Sequence, residues 1–205
     1  MSEQREHILA CACDLYLRDG LDGFSMRQLA RDVGVTAPAL YRHYEGKEDV
    51  LVDVIREAYR RFTQYLYAAL EGRTPEDRFI RAGEGYLRFA LEHTRLFQIL
   101  FVPPEQLGMS SLPEDLEAQA CAVHQFWIDR VRECMDGGIL REGDPVQVSI
   151  TLWGHAHGLL SLFFHGHFRM DQDEFVALFR GSVQMVIRGL ARPEWGEELT
   201  LCGTA

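Results

Sequence analysis

The stretch from Phe24 to Lys47 constrains this chain more than any other, because it holds two short helix signals separated by one glycine. Ser25 is placed to cap a first helix in which Met26, Leu29, Ala30 and Val33 recur at three- and four-residue spacing. Gly34 follows at once, and glycine takes the left-handed conformation that closes a helix without a Cβ penalty. Thr36 then caps a second helix running to about Tyr41, with Pro38 tolerated in its first turn and Leu40 pointing back into a core. The pattern is that of a helix-turn-helix.

Such a second helix enters a major groove by its N-terminal residues. Thr36, Ala37 and His43 are the candidates for base-edge contact, Ala37 and Ala39 are small enough for close approach, and Pro38 is counted with them among the DNA-binding residues. Ser25, Arg27, Tyr41, Tyr44 and Lys47 are the candidates for phosphate contact, with the Tyr44 hydroxyl expected at the surface. Charge supports a confined contact. The whole chain carries a formal net charge of -10, which argues against a general nucleic-acid coat. From Ser25 to Lys47, however, Arg27, Arg31, Arg42 and Lys47 face only Asp32 and Glu45, and Lys47 is the single lysine of the sequence.

A length of 205 residues suffices for a sizeable core, and 47% hydrophobic with 25% charged residues is ordinary for a soluble globular protein. There is no basic start followed by an apolar block, and the most apolar run, Val148 to Phe164, is broken by Ser149, Thr151, His155 and His157. Neither export nor a membrane span is expected. Five scattered cysteines without CxxC spacing read as reduced thiols of a cytoplasmic protein, and no metal site or cofactor is expected.

Glu3 to Arg18 reads as an amphipathic helix ended by Asp19-Gly20, and Glu48 to Leu70 as a long helix without glycine or proline. Thr74-Pro75 opens a helix to about His93, and a short one spans Thr94 to Phe101. Pro103 to Pro113, with Gly108, Ser110 and Ser111, is expected to be a disordered or gating loop. Helices from Pro113 to Met135, from Asp144-Pro145 to about His165 and from Asp171 to Leu190 complete the chain, and Pro193 breaks the pattern. The fold class is all-α with about nine helices. The expected division is a three-helix head at 1–47, a helical C-terminal domain at 48–192 and a tail at 193–205.

The series Ser-Met-Arg-Gln-Leu-Ala, Gly-Val-Thr-Ala-Pro-Ala-Leu-Tyr-Arg-His-Tyr and Lys-Glu-Asp-Val-Leu resembles the tetracycline-repressor (TetR) family of bacterial transcription regulators. The likeness covers Arg5 to about Val54, and Tyr44 stands where the family more often has phenylalanine. A weaker likeness, at Trp153-Gly-His-Ala-His-Gly158, is to the Trp, His-Gly pattern of one C-terminal subgroup. The resemblance implies a homodimeric repressor on a palindromic operator, released when its C-terminal domain binds a small molecule. For the dimer, the last two helices offer Val148, Ile150, Leu152, Leu159, Leu160, Leu162 and Phe163, then Phe175, Leu178, Phe179, Val183, Val186 and Ile187. Gly154, Gly158 and Gly181 among them permit close backbone approach.

A pocket for an apolar or aromatic effector would draw on Phe62, Tyr65, Tyr86, Phe89, Phe97, Phe101, Phe126, Trp127, Trp153 and His157, all of which also suit an ordinary core. His155, His157, His165 and His167 are dense. His157 and His165 stand two turns apart, roughly 12 Å by helix rise, too far to share one ion without a partner helix. Two alternatives stay open: a DNA-binding protein without a ligand, and an α-helical enzyme. Against the enzyme, the sequence has no nucleophile elbow, phosphate-binding glycine loop or HExxH, so no catalytic residue is assigned.

Overall fold

A computed structural model describes residues 3–193. The expected tail lies outside them apart from Pro193, as does Cys202. Among the described residues nine α-helices follow in order: α1 Glu3–Gly23, α2 Met26–Val33, α3 Ala37–Leu40, α4 Lys47–Tyr67, α5 Pro75–Glu92, α6 Thr94–Ile99, α7 Glu114–Asp136, α8 Pro145–Phe164 and α9 Gln172–Leu190. Two 3-10 turns, Ala68–Glu71 and Pro104–Leu107, lie between them. Among the described residues there is no β-strand, only an isolated antiparallel bridge between Leu140 and Ala191. No helix among them is long and apolar enough to cross a membrane.

The local signals act where the sequence places them. Ser25 Oγ accepts from the Gln28 amide, Gly34 closes α2 at φ 77°, and Thr36 Oγ1 accepts from the Ala39 amide. Asp144 caps α8 through the Val146 amide, and Asp171 with Glu174 forms a reciprocal capping box on α9. Gly20, at φ 72°, breaks α1 as expected, but a further turn to Gly23 follows it. The long helix expected to Leu70 ends at Tyr67 and tightens into the first 3-10 turn.

The chain forms two compact units. One comprises residues up to Tyr65 with Tyr86–Cys121, the other Leu66–Gly85 with the residues from Ala122 onward, so the division falls inside α4, α5 and α7. In the first unit α1 packs on α2 and α6, and Ile8, Leu15, Leu29, Leu40, Leu51 and Ile55 are buried. Arg95 of α6 donates to the carbonyls of Tyr16 and Leu17, near the end of the straight part of α1. The segment expected to be a disordered loop is part of this unit. Its 3-10 turn buries Leu107, and a Cβ at Gly108, φ 82°, would stand 3.0 Å from a Glu48 carboxylate oxygen of α4. Polar composition suggests an open loop there, whereas one leucine and one close glycine approach anchor it.

In the second unit Phe79, Val131, Cys134, Met135, Ile139, Leu140, Ile187 and Ala191 make one core cluster. Phe163 stacks on Phe175 with ring centres 4.0 Å apart, and Arg180 holds Glu84 through two hydrogen bonds. In the first unit, Phe89 is fully buried and stacks on Phe62 at 5.0 Å. Phe89→Ala should therefore cost about 3–5 kcal/mol of stability, read from denaturant midpoints.

Candidate nucleic-acid interface

The second helix of the motif is a single turn, extended by bonds from the Tyr41, Arg42, His43 and Tyr44 amides to carbonyls three or four residues back. Leu40 is fully buried beneath it. Outward it presents Thr36, Pro38 and Arg42, all exposed, and Tyr41, exposed to 52%, with Ala37 and His43 partly exposed. Ser25, Arg27 and Arg31 are exposed at the adjoining ends of α2. Eight of the nine residues named from the sequence thus keep surface on this head, and small or donor side chains of this kind suit a polyanion.

Tyr44 departs from its expectation. It is 1% exposed, and its hydroxyl turns inward to donate to Asp53 at 2.9 Å, so it offers nothing to a phosphate. A phenol on α3's trailing turn meets a carboxylate on α4, and that bond decides its direction. Lys47 is partly buried. Its ammonium donates to the Leu21 carbonyl at 3.0 Å and lies 6.0 Å from the centre of the Phe24 ring, so part of its donor capacity holds the end of α1.

Asp53 is the feature that sequence reasoning misses. It is only 5% exposed, and it accepts from Arg5 at 3.0 Å, Tyr44 at 2.9 Å and Arg56 at 2.7 Å. The Arg5 guanidinium also lies 4.7 Å above the Tyr44 ring. Arg56 turns its other edge to Asp115 in the first turn of α7, at 2.6 and 3.0 Å. Burial pushes the Asp53 carboxyl up, but the bonds from Arg56, Arg5 and Tyr44 outweigh it and hold the group below its ordinary value. The Tyr44 phenol is pushed upward by burial and by the same carboxylate.

The ten proposed effector residues divide between the units. Phe62, Tyr65, Tyr86, Phe89, Phe97 and Phe101 form one ring-to-ring cluster of the first unit, in which Phe62, Tyr86, Phe89 and Phe97 are buried as core. At its partly exposed end, the Tyr65 hydroxyl donates to Glu92 and lies 3.1 Å from His93 Nε2. In the second unit Phe126 is buried against Trp127, while Trp153 of α8 lies 5.6 Å from His157 and 6.4 Å from His124. Burial lowers the His157 pKa.

Of the residues suggested for a dimer, Leu160, Phe175, Phe179 and Ile187 are buried within their own unit. Ile150, Leu162 and Leu178 are exposed, as are Trp153 and Met185 of the same helices, which lie outside that set, and a Cβ added to Gly154, Gly158 or Gly181 would meet nothing within 4 Å. His155 pairs with Ser182, and His165 with the Ser161 carbonyl.

A family model described as bacterial regulatory proteins, tetR family, matches residues 8–54, and one described as the tetracyclin repressor-like C-terminal domain matches residues 79–186. The chain belongs to the TetR family. The transcriptional repressor KstR2 of Mycolicibacterium smegmatis is 26% identical over 150 residues, 68% of this chain and 69% of that protein. A Rhodococcus sp. RHA1 protein of unknown function superposes with a TM-score of 0.77 at 25% identity, covering 94% of this chain and 97% of its own. AibR, solved with isovaleryl coenzyme A and operator DNA, superposes at 0.65 with 18% identity over 89% of this chain and 97% of its own, a likeness of fold.

For this TetR-family head the Asp53 hub carries a pH signature. A carboxyl whose pKa is depressed on folding contributes stability above its unfolded value, and that contribution is lost as pH falls through the folded one. The loss therefore lies below the ordinary aspartate value of 3.8. Asp53→Asn should lose about 1.5–3 kcal/mol at neutral pH and decline less steeply than the parent on acidification, as measured by denaturant unfolding across pH.

Proposed function

We propose that this chain is a dimeric repressor that holds a roughly palindromic operator through its N-terminal head and releases it when a small molecule binds beyond residue 47. The observation that carries the reading is the capped helix-turn-helix, with Leu40 buried behind it and Thr36, Pro38, Tyr41 and Arg42 facing out. Thr36, Ala37 and His43 read base edges beside Pro38, while Ser25, Arg27, Tyr41 and Lys47 hold phosphates. Two heads of a dimer address half-sites about 34–36 Å apart, or a further turn.

The dimer forms through the exposed faces of α8 and α9, where Ile150, Trp153 and Met185 stand beside glycines that admit a second backbone. An apolar or aromatic effector enters the domain at 48–192, in which both aromatic groups lie. Support for the effector comes from AibR, whose complex holds both a coenzyme A thioester and operator DNA. We place the protein in the cytoplasm with the DNA it regulates, and assign it no catalytic role.

Selection of duplexes from a random library, followed by gel shifts, tests the reading. An inverted repeat should emerge, and sedimentation should give a dimer at micromolar concentration. A monomer with no selected sequence would overturn the proposal. Thr36→Ala should cost about 1–3 kcal/mol on the selected site and little on random DNA. Arg27→Ala should weaken both equally and lower the salt slope by about one for each phosphate left without its arginine.

A further inference from the structure

Four side chains connect the reading turn to the first turn of α7. Tyr44, which ends the turn after α3, donates to Asp53 of α4. Arg56, one helical turn along α4, donates to the other oxygen of Asp53 and holds Asp115 with a two-pronged pair. Each link is short, and Asp53 and Tyr44 are both buried, where a hydrogen bond to a charge is strong and its removal is costly. Asp115 heads α7, directly after the 104–113 segment, whose Gly108 already stands against Glu48 at the start of α4.

We propose that Asp115, through Arg56 and Asp53, is a positioning residue for the reading turn, so that sequence-selective DNA binding depends on an ion pair that touches no DNA. The inference rests on the DNA-binding reading above and adds its regulation. With Asp115 in place, Arg56 is held extended, Asp53 keeps the Tyr44 hydroxyl, and the turn carrying Thr36 and Tyr41 has one seat. When the first turn of α7 shifts, Arg56 is released, Asp53 loses one of its fixed donors, and the Tyr44 seat loosens. Operator reading is thereby governed from α7.

The test compares Asp115→Asn, Tyr44→Phe and the double variant. Removing a negative charge by itself strengthens binding to any DNA. The proposal requires the opposite on the selected duplex: Asp115→Asn weakens it about fivefold to tenfold, with random-duplex affinity equal or higher. Tyr44→Phe gives a similar selective loss, and the double variant loses no more than the worse single one, since both break one chain of bonds. Asp115→Glu restores most of the selectivity. Amide hydrogen exchange at residues 39–44 of the free protein must also quicken in Asp115→Asn, a readout that needs no operator.

If Asp115→Asn leaves or raises both affinities, or if the two losses multiply, the proposal is overturned. Unchanged exchange at 39–44 overturns it as well. If the unaltered protein selects no sequence while exchange quickens as stated, the DNA-binding reading fails and the mechanical link stands.

Discussion

A carboxylate buried at the foot of the reading head is the constraint on which the rest of the first unit depends. Asp53 leaves water only because three donors from three parts of the chain meet it: Arg5 of α1, Tyr44 behind α3 and Arg56 within α4. An unpaired charge at that site would be expensive, so the three elements are obliged to meet in one arrangement. The apolar core supplies most of the stability and leaves some freedom in how short helices settle. A turn of four residues, Ala37–Leu40, has little packing of its own to fix its angle, and the polar hub supplies what Leu40 alone does not.

The local part of this design is readable in the sequence itself. Ser25, Gly34, Thr36, Asp144 and Asp171 act within three or four residues of themselves, so their chemistry is contained in a short window of sequence. Asp53 is not readable, because it resembles any other acid on an acidic chain and its partner Arg5 lies 48 positions away. Tyr44 misleads for the same reason: a tyrosine beside a basic stretch suits a phosphate until a buried acceptor behind it is known. The segment from Pro103 to Pro113 has loop composition throughout, and only Leu107 hints that it is packed.

The aromatic residues teach a related lesson. Phe62, Tyr86, Phe89, Phe97 and Phe126 are buried while Phe101 and Trp153 are exposed, and spacing does not group them. Phe62 and Phe89 go with Phe97 in one unit, and Trp153 and His157 go with Phe126 in the other. Likewise the apolar residues of α8 and α9 divide into an inward set around Leu160 and Phe175 and an outward set around Ile150 and Met185. Periodicity marks an apolar stripe, but a wide stripe can serve two neighbours, and the sequence does not draw the line between them.

The head also separates residues that hold its shape from residues that face outward. Leu29, Leu40 and Tyr44 are buried and Gly34 carries the positive φ, whereas Pro38, Tyr41 and Arg42 are exposed. Ser25 and Thr36 belong to both sets, each exposed and capping at once, and serine, threonine, asparagine or aspartate would cap at either place. The outward positions are therefore open to drift without loss of the fold. A lineage built on this head can acquire a new target sequence by a few surface substitutions, each acceptable to the scaffold on its own.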